Sequence, residues 1–173
     1  TTSAPARWSA PVAARNASGI SKLSNIVGPV KVKGVCLADE LHDLSRAAGK
    51  SDGLTTANEY NAICAEYLFR AKGGTNDWIA YEVPGDLRQV RLTAFFAGAV
   101  DGPRLRVSAD GTSFADLAPR QTVRKLPPTP GGAAGRMQRT MVDYEADFPP
   151  GQRHLRIEWT APMELDRVEL FHP

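Results

Sequence analysis

Residues 104–117 read Arg-Leu-Arg-Val-Ser-Ala-Asp-Gly-Thr-Ser-Phe-Ala-Asp-Leu. Apolar and polar side chains alternate on both sides of Asp110-Gly111, and an Asp-Gly pair between two alternating runs is the strongest short-range signal for a β-hairpin. The same grammar extends outward in both directions. It predicts strands over 78–83, 89–96, 104–109, 114–117, 141–146, 154–159 and 164–171. Between them stand the turn-formers Pro84-Gly85-Asp86, Pro149-Pro150-Gly151 and Ala161-Pro162. Short alternating strands at such intervals predict an all-β, antiparallel β-sandwich of the jelly-roll kind, not an α/β enzyme core. Residues 126–135, Leu-Pro-Pro-Thr-Pro-Gly-Gly-Ala-Ala-Gly, cannot form regular structure and read as a surface loop.

Upstream of Trp78 the pattern is less regular. Val30–Leu37 alternates in its first half and predicts the first strand. Asp39–Ala48 has an N-cap candidate, apolar residues at 41, 44 and 48 and a Gly49 stop, which together predict a short helix or turn. From Lys50 to Tyr67 no period is clean, so the segment reads as a long loop around a short strand near 62–67, and loops of that length often carry function. Residues 1–30, rich in Ala, Ser, Pro, Gly and Asn, read as a linker or arm, leaving 31–173 as the sandwich domain.

A chain of 173 residues, 42% of them hydrophobic, suffices for one domain with a real core. Twenty-one basic against nineteen acidic residues leave a net charge of only +2, with the signs interleaved. That is no footprint for nucleic acid. No apolar run approaches the roughly 18 residues of a membrane span, so the chain reads as soluble with no membrane partner. Cys36 and Cys64 match no zinc spacing; they can close one disulfide or remain buried thiols, and a disulfide is expected if the chain is secreted.

Enzyme chemistry finds little support. His42, His154 and His172 are scattered, and there is no Gly-x-Ser-x-Gly, phosphate-cradling loop or His-Glu-x-x-His motif. A glycosidase needs two converging carboxylates, and Glu66, Glu82, Glu145, Glu158 and Glu169 mostly fall on the polar phase of strands, where solvated faces explain them. The cluster Asp39, Glu40 and Asp43, joined by Asp166 from the last strand, could supply oxygen ligands to a structural calcium ion, the alternative being acidic residues favoured at a helix N-terminus. Trp78, Tyr81, Phe95 and Trp159 read as core. Tyr60, Asn61, Glu66, Tyr67, Arg70 and Lys72, in or beside the irregular segment, are the stronger candidates for holding a sugar, because flat rings stack on pyranoses while polar neighbours read hydroxyls. Arg139, with Arg136 and Gln138, forms a weaker second set.

The run Phe69–Gly85, then Val90–Phe96 and Leu105–Phe114, together with Tyr144–Glu158 and Glu164–Leu170, resembles the galactose-binding-like, discoidin-type β-sandwich modules. The resemblance spans about residues 32–171 and rests on strand cores and hairpin turns, whereas ligand choice resides in loops. Such modules are commonly appended to secreted bacterial glycoside hydrolases and lyases, and often carry a structural calcium near the first strand, which favours Asp39, Glu40 or Asp43. The Cys36/Cys64 pair departs from the family pattern. The resemblance implies a non-catalytic, extracellular carbohydrate-binding module, joined to a catalytic domain in a longer chain and binding a polysaccharide or oligosaccharide. The alternative is a structural accessory domain with no ligand that packs on a catalytic neighbour.

Overall fold

The structure, a computed structural model, describes residues 15–16, 19–20, 35–61, 66–97, 100–125 and 140–173; for 15–16, 19–20, 35, 58–61, 66–68 and 125 it describes the backbone alone. Contacts divide the chain into two compact units, Thr1–Lys33 and Gly34–Pro173. In the first, β1 (Arg15–Asn16) and β2 (Gly19–Ile20) pair antiparallel.

The second unit is an antiparallel β-sandwich, as the alternating runs require. One sheet has five strands: β4 (Gly49–Lys50), β7 (Trp78–Glu82), β9 (Arg104–Ser108), β10 (Ala115–Leu117) and β13 (His154–Glu158), in the order β10-β9-β13-β7-β4. The other has seven: β3 (Val35–Asp39), β5 (Thr55–Asn61), β6 (Glu66–Gly73), β8 (Gln89–Phe96), β11 (Arg120–Lys125), β12 (Thr140–Asp147) and β14 (Met163–His172). Its order is β11-β12-β8-β14-β6-β5. One edge of β14 is shared: Met163–Leu165 pair with β6, Val168–His172 pair with β3, and a register shift at Asp166 separates the two stretches.

Period-two alternation sends every second side chain inward. Val90, Leu92, Ala94 and Phe96 of β8 thus meet Ile79 and Tyr81 of β7 and Leu155 and Ile157 of β13 in one apolar core. Trp159, at 1% exposure, is among the largest wholly buried side chains; its indole N–H donates to the Met163 carbonyl at 3.0 Å.

The hairpin around Asp110-Gly111 forms as expected, with Ala115 opposite Val107 and Leu117 opposite Leu105. The Asp110 carboxylate organises its turn, accepting the backbone N–H groups of Thr112 at 2.8 Å and Ser113 at 2.9 Å and the Ser108 hydroxyl at 2.9 Å. Gly111 sits at φ 75°, where an added Cβ would stand 3.1 Å from the His154 ring, so the position favours glycine twice over. A second carboxylate, Asp77, ties the β6–β7 turn to the segment before β5, accepting from the Ser51 hydroxyl at 2.7 Å and from the Gly74 N–H at 2.8 Å.

These hydrogen bonds hold the carboxyls of Asp110 and Asp77 below the usual carboxylate range, the Ser113 and Thr112 N–H groups dominating at Asp110 and the Ser51 hydroxyl at Asp77. A carboxyl that is more acidic when folded contributes stability above its unfolded pKa of about 3.9 and loses it as pH falls toward the folded value. Stability is therefore expected to fall as pH drops below about 4. Urea midpoints across that range should show a shallower acid loss for Asp110→Asn and Asp77→Asn than for the parent chain; equal slopes would contradict this assignment.

Three segments depart from the sequence reading. Of the short helix or turn expected over 39–48, turns form and a helix does not: Asp39 Oδ1 accepts the Leu41 N–H at 2.8 Å, Asp43 Oδ1 accepts the Ser45 N–H at 2.9 Å, and Leu41 and Leu44 adopt φ of 57° and 56°. Two successive Asx-turns form, and the left-handed backbone at Leu41 and Leu44 excludes a continuous helix. The three-residue spacing of Leu41 and Leu44 reflects their insertion into the core, at 0% and 7% exposure. The long loop expected over 50–67 is largely strand: β5 and β6 run in register from Thr55 opposite Lys72 to Asn61 opposite Glu66. As the edge of its sheet, β5 exposes Thr55 and Thr56 on both faces, which erases the apolar alternation that would have revealed it. Edge strand β11 was hidden for the same reason, since residues 121–124 are all exposed and Val123 is 49% exposed.

Candidate functional site

The outward-facing residues of the seven-stranded sheet compose a polar face whose pattern follows from strand register. Where β11, β12, β8 and β14 lie side by side, Arg120, Glu145, Arg91 and Glu169 face one another in a single cross-strand row, alternating in sign. The next row is Thr122, Asp143, Thr93 and Arg167. A third runs Arg124, Met141, Phe95, Glu164 and Lys72, continuing onto β6. Opposite charges at directly opposed positions favour this register.

Glu145, Arg91 and Glu169 of the first row and all four residues of the second line a depression of about 370 Å³, to which Arg124 also contributes. Its polar groups hold one another in place. Arg124 pairs with Asp143 at 2.5 Å, and the Thr93 hydroxyl donates to Asp143 at 3.0 Å. Glu145 accepts from Gln89 at 2.8 Å and lies 3.8 Å from Arg91 and 3.6 Å from Arg120. Arg167 pairs with Glu169 at 2.8 Å and with Glu40 from the segment after β3. Pairs this exposed contribute at most about 1 kcal/mol each to stability. Their consequence is orientation: guanidinium donors and carboxylate acceptors stand fixed on a rigid sheet, flanked by Thr93 and Thr122.

Two aromatic rings belong to the same face, and each carries a guanidinium. Arg91 lies 5.2 Å from the centre of Phe171, and Arg70 lies 4.2 Å from that of Phe95. Arg70, only 6% exposed, is held by Glu164 at 2.7 Å and Asp166 at 3.6 Å. Burial pushes the Asp166 carboxyl up, and Arg70 opposes that shift. Beside them a smaller depression of about 190 Å³ is lined by Phe95, Lys72, Glu164 and Met163 together with Gly73, Ala97 and Pro162.

The residues expected to bind sugar are distributed as follows. Arg70 and Lys72 reach this face. Of Tyr60, Asn61, Glu66 and Tyr67 only the backbone is described, on β5 and β6. Arg139 lies outside the described residues. Phe95, expected in the core, is buried at 9% exposure, but beneath Arg70 on the opposite side of β8 from Phe96 rather than in the main apolar cluster. The carboxylates Glu82 and Glu158 belong to the other sheet and pair with Arg153 and with Arg106 and Arg156, while Glu145 and Glu169 stand on either side of Arg91 in one row.

The four acidic residues considered for calcium are not gathered. Asp39, at 3% exposure, accepts from Leu41 and from the Tyr81 hydroxyl at 2.9 Å, Asp43 caps Ser45, Glu40 pairs with Arg167, and Asp166 faces Arg70. Among the described residues no three His, Cys, Asp or Glu side chains stand close enough to share a metal ion. Cys36 is an exposed free thiol on β3, and Cys64, its expected partner, lies outside the described residues.

Sequence reading missed Arg91, Thr93, Thr122, Arg124, Asp143 and Arg167. Each occupies the polar phase of an alternating strand, and the signal lies in the matching of signs between strands, which requires the strand order.

No family model and no curated protein matches the chain. Among solved structures it is similar to the carbohydrate-binding module CBM6cm-2 from Cellvibrio mixtus lichenase 5A, in complex with cellotriose: 12% identity over 79% of this chain and 97% of that one, TM-score 0.45. The C-terminal CBM6 of LamC, a marine laminarinase from Zobellia galactanivorans, is similar at 14% identity over 79% and 99%, TM-score 0.42. A β-1,3-glucan-binding CBM6 from Bacillus halodurans gives 15% identity over 81% and 96%, TM-score 0.43.

Proposed function

We propose that this chain is a non-catalytic carbohydrate-binding module of a secreted polysaccharide-degrading enzyme, and that it holds glycan on the outer face of the seven-stranded sheet. The observation that supports this most is the row Arg120, Glu145, Arg91 and Glu169 with the depression beside it. A sugar presents many hydroxyls, each both donor and acceptor, and a lattice of fixed guanidiniums and carboxylates offers partners for both roles at little ordering cost. Charges balanced within the lattice suit a ligand read by hydrogen bonds.

Affinity gel electrophoresis on a panel of β-glucans, xylan, mannan, galactan and pectate tests the reading. Retardation by at least one polysaccharide is expected, and none by any of them would overturn it. Arg91→Ala removes the centre of the row and is expected to weaken retention at least tenfold, while moving stability by no more than about 0.5 kcal/mol, as surface substitutions do. Release of reducing ends from the retained polysaccharide would refute the non-catalytic assignment.

A further inference from the structure

The outer face of the five-stranded sheet carries charges in a different arrangement. Register sets Arg106 of β9 directly opposite Arg156 of β13, with Asp116 on the far side of Arg106 and only Ala80 and Gly49 beyond Arg156. Like charges directly opposed on strands about 5 Å apart work against the pairing. One carboxylate eases both: Glu158 lies 3.0 Å from Arg156 and 3.5 Å from Arg106. Arg104, opposite Glu158, is closed off by a bidentate pair with Asp116 at 2.9 and 2.7 Å. Within this group three guanidiniums meet two carboxylates, and one positive charge is left over.

The surplus rests on Arg156. Its guanidinium lies over the Trp78 ring, 4.4 Å from the centre, and the indole in turn lies against Gly49, where a Cβ would stand 3.4 Å from it. Trp78 therefore serves as a brace for Arg156. The Arg156 side chain is 30% exposed, and among the described residues no acceptor takes up its two terminal nitrogens. Arg106 is fixed as well: it donates to the Phe114 carbonyl at 2.9 Å and lies 5.9 Å from the centre of that ring. A guanidinium held over a ring keeps its in-plane N–H fork for an anion with two oxygens side by side, and little side-chain freedom remains to be lost on binding.

We infer that Arg156, with Arg106 beside it, is a second binding site, on the other sheet from the row through Arg91, for the anionic group of an acidic polysaccharide: a uronate carboxylate or a sulfate ester. A single uncompensated charge on an open strand face holds one anion weakly. A polymer that repeats its anion along the chain offers each released site another copy at high local concentration, which favours a polyanionic glycan over a free ion. The site goes beyond the glycan-binding reading of the seven-stranded sheet and does not depend on it.

The test is affinity electrophoresis of the full chain on alginate, which supplies carboxylates, and on heparin, which supplies sulfates. Retardation by at least one is expected, and the stronger of the two identifies the anion. Arg156→Gln keeps an aliphatic stem on Trp78 while removing the charge, and is expected to weaken retardation about tenfold or more, the worth of a charge-assisted hydrogen bond. Arg106→Gln should act in the same direction, and Arg156→Lys should restore only part of the loss, because an ammonium lacks the fork. Arg91→Ala should leave this retardation unchanged, so the two sites can fail separately. No retardation by either polyanion, retardation that survives Arg156→Gln, or its loss in Arg91→Ala would overturn the site. Equal retardation by poly-glutamate would overturn the assignment to a glycan.

Discussion

Replacing Trp159 with alanine is expected to lower the stability of the sandwich by about 3–5 kcal/mol, the range for removing a buried tryptophan from a core that cannot collapse onto the space. Against the 5–15 kcal/mol typical of a whole domain this is a large single-residue loss. The side chain is 1% exposed and bonded through its indole to Met163. Its backbone contributes as well, with its N–H donating to the Asp77 carbonyl at 2.8 Å and its carbonyl accepting the Asn76 N–H at 2.8 Å. The surroundings are closed: a Cβ on Gly73 would lie 3.1 Å from the indole nitrogen and 2.7 Å from Leu54. Urea unfolding monitored by circular dichroism measures the loss through the shift in midpoint at constant slope. A loss below about 1 kcal/mol would mean that the β6–β7 turn does not pack on Trp159 as described.

Asp39→Ala is expected to cost about 2–4 kcal/mol, since it strands two buried donors, the Leu41 N–H and the Tyr81 hydroxyl. The phenol is 1% exposed and no solvent replaces its acceptor. Burial first, and the adjacent Asp39 carboxylate second, push the Tyr81 phenol far above its ordinary range, so it remains a donor at any pH at which the chain folds. Combining Asp39→Ala with Tyr81→Phe removes one stranded donor along with its acceptor. The double variant should therefore be less destabilised than the two single losses added together. Strict additivity in the cycle would show that the two side chains are not coupled.

Much of the sandwich was legible because its central strands are covered on one face. Val90, Leu92, Ala94 and Phe96 alternate with Gln89, Arg91, Thr93 and Phe95, and burial on one side imposes that alternation on any sequence that folds this way. Edge strands escape the rule. Thr55 and Thr56 of β5 and residues 120–124 of β11 are exposed on both faces, so these strands carry no period to read. Leu41 and Leu44 misled for a related reason: apolar residues three apart satisfy a helix and a pair of Asx-turns equally, and the two differ only in the left-handed backbone that Leu41 and Leu44 adopt.

The candidate site divides along the same line. Arg70 and Lys72 were found because charged residues near an irregular segment attract attention, whereas Arg91, Asp143 and Arg167 looked like ordinary solvated positions. By itself the sequence determined which residues point inward along the central strands, and with them the all-β class and most of the core, because alternation is a local property. Only the tertiary structure decided which outward residues meet. The row of Arg120, Glu145, Arg91 and Glu169 joins strands separated by long stretches of chain, and its order depends on how β8 is placed between β12 and β14. A surface lattice of this kind is written in register, and register exists only once the strands have paired.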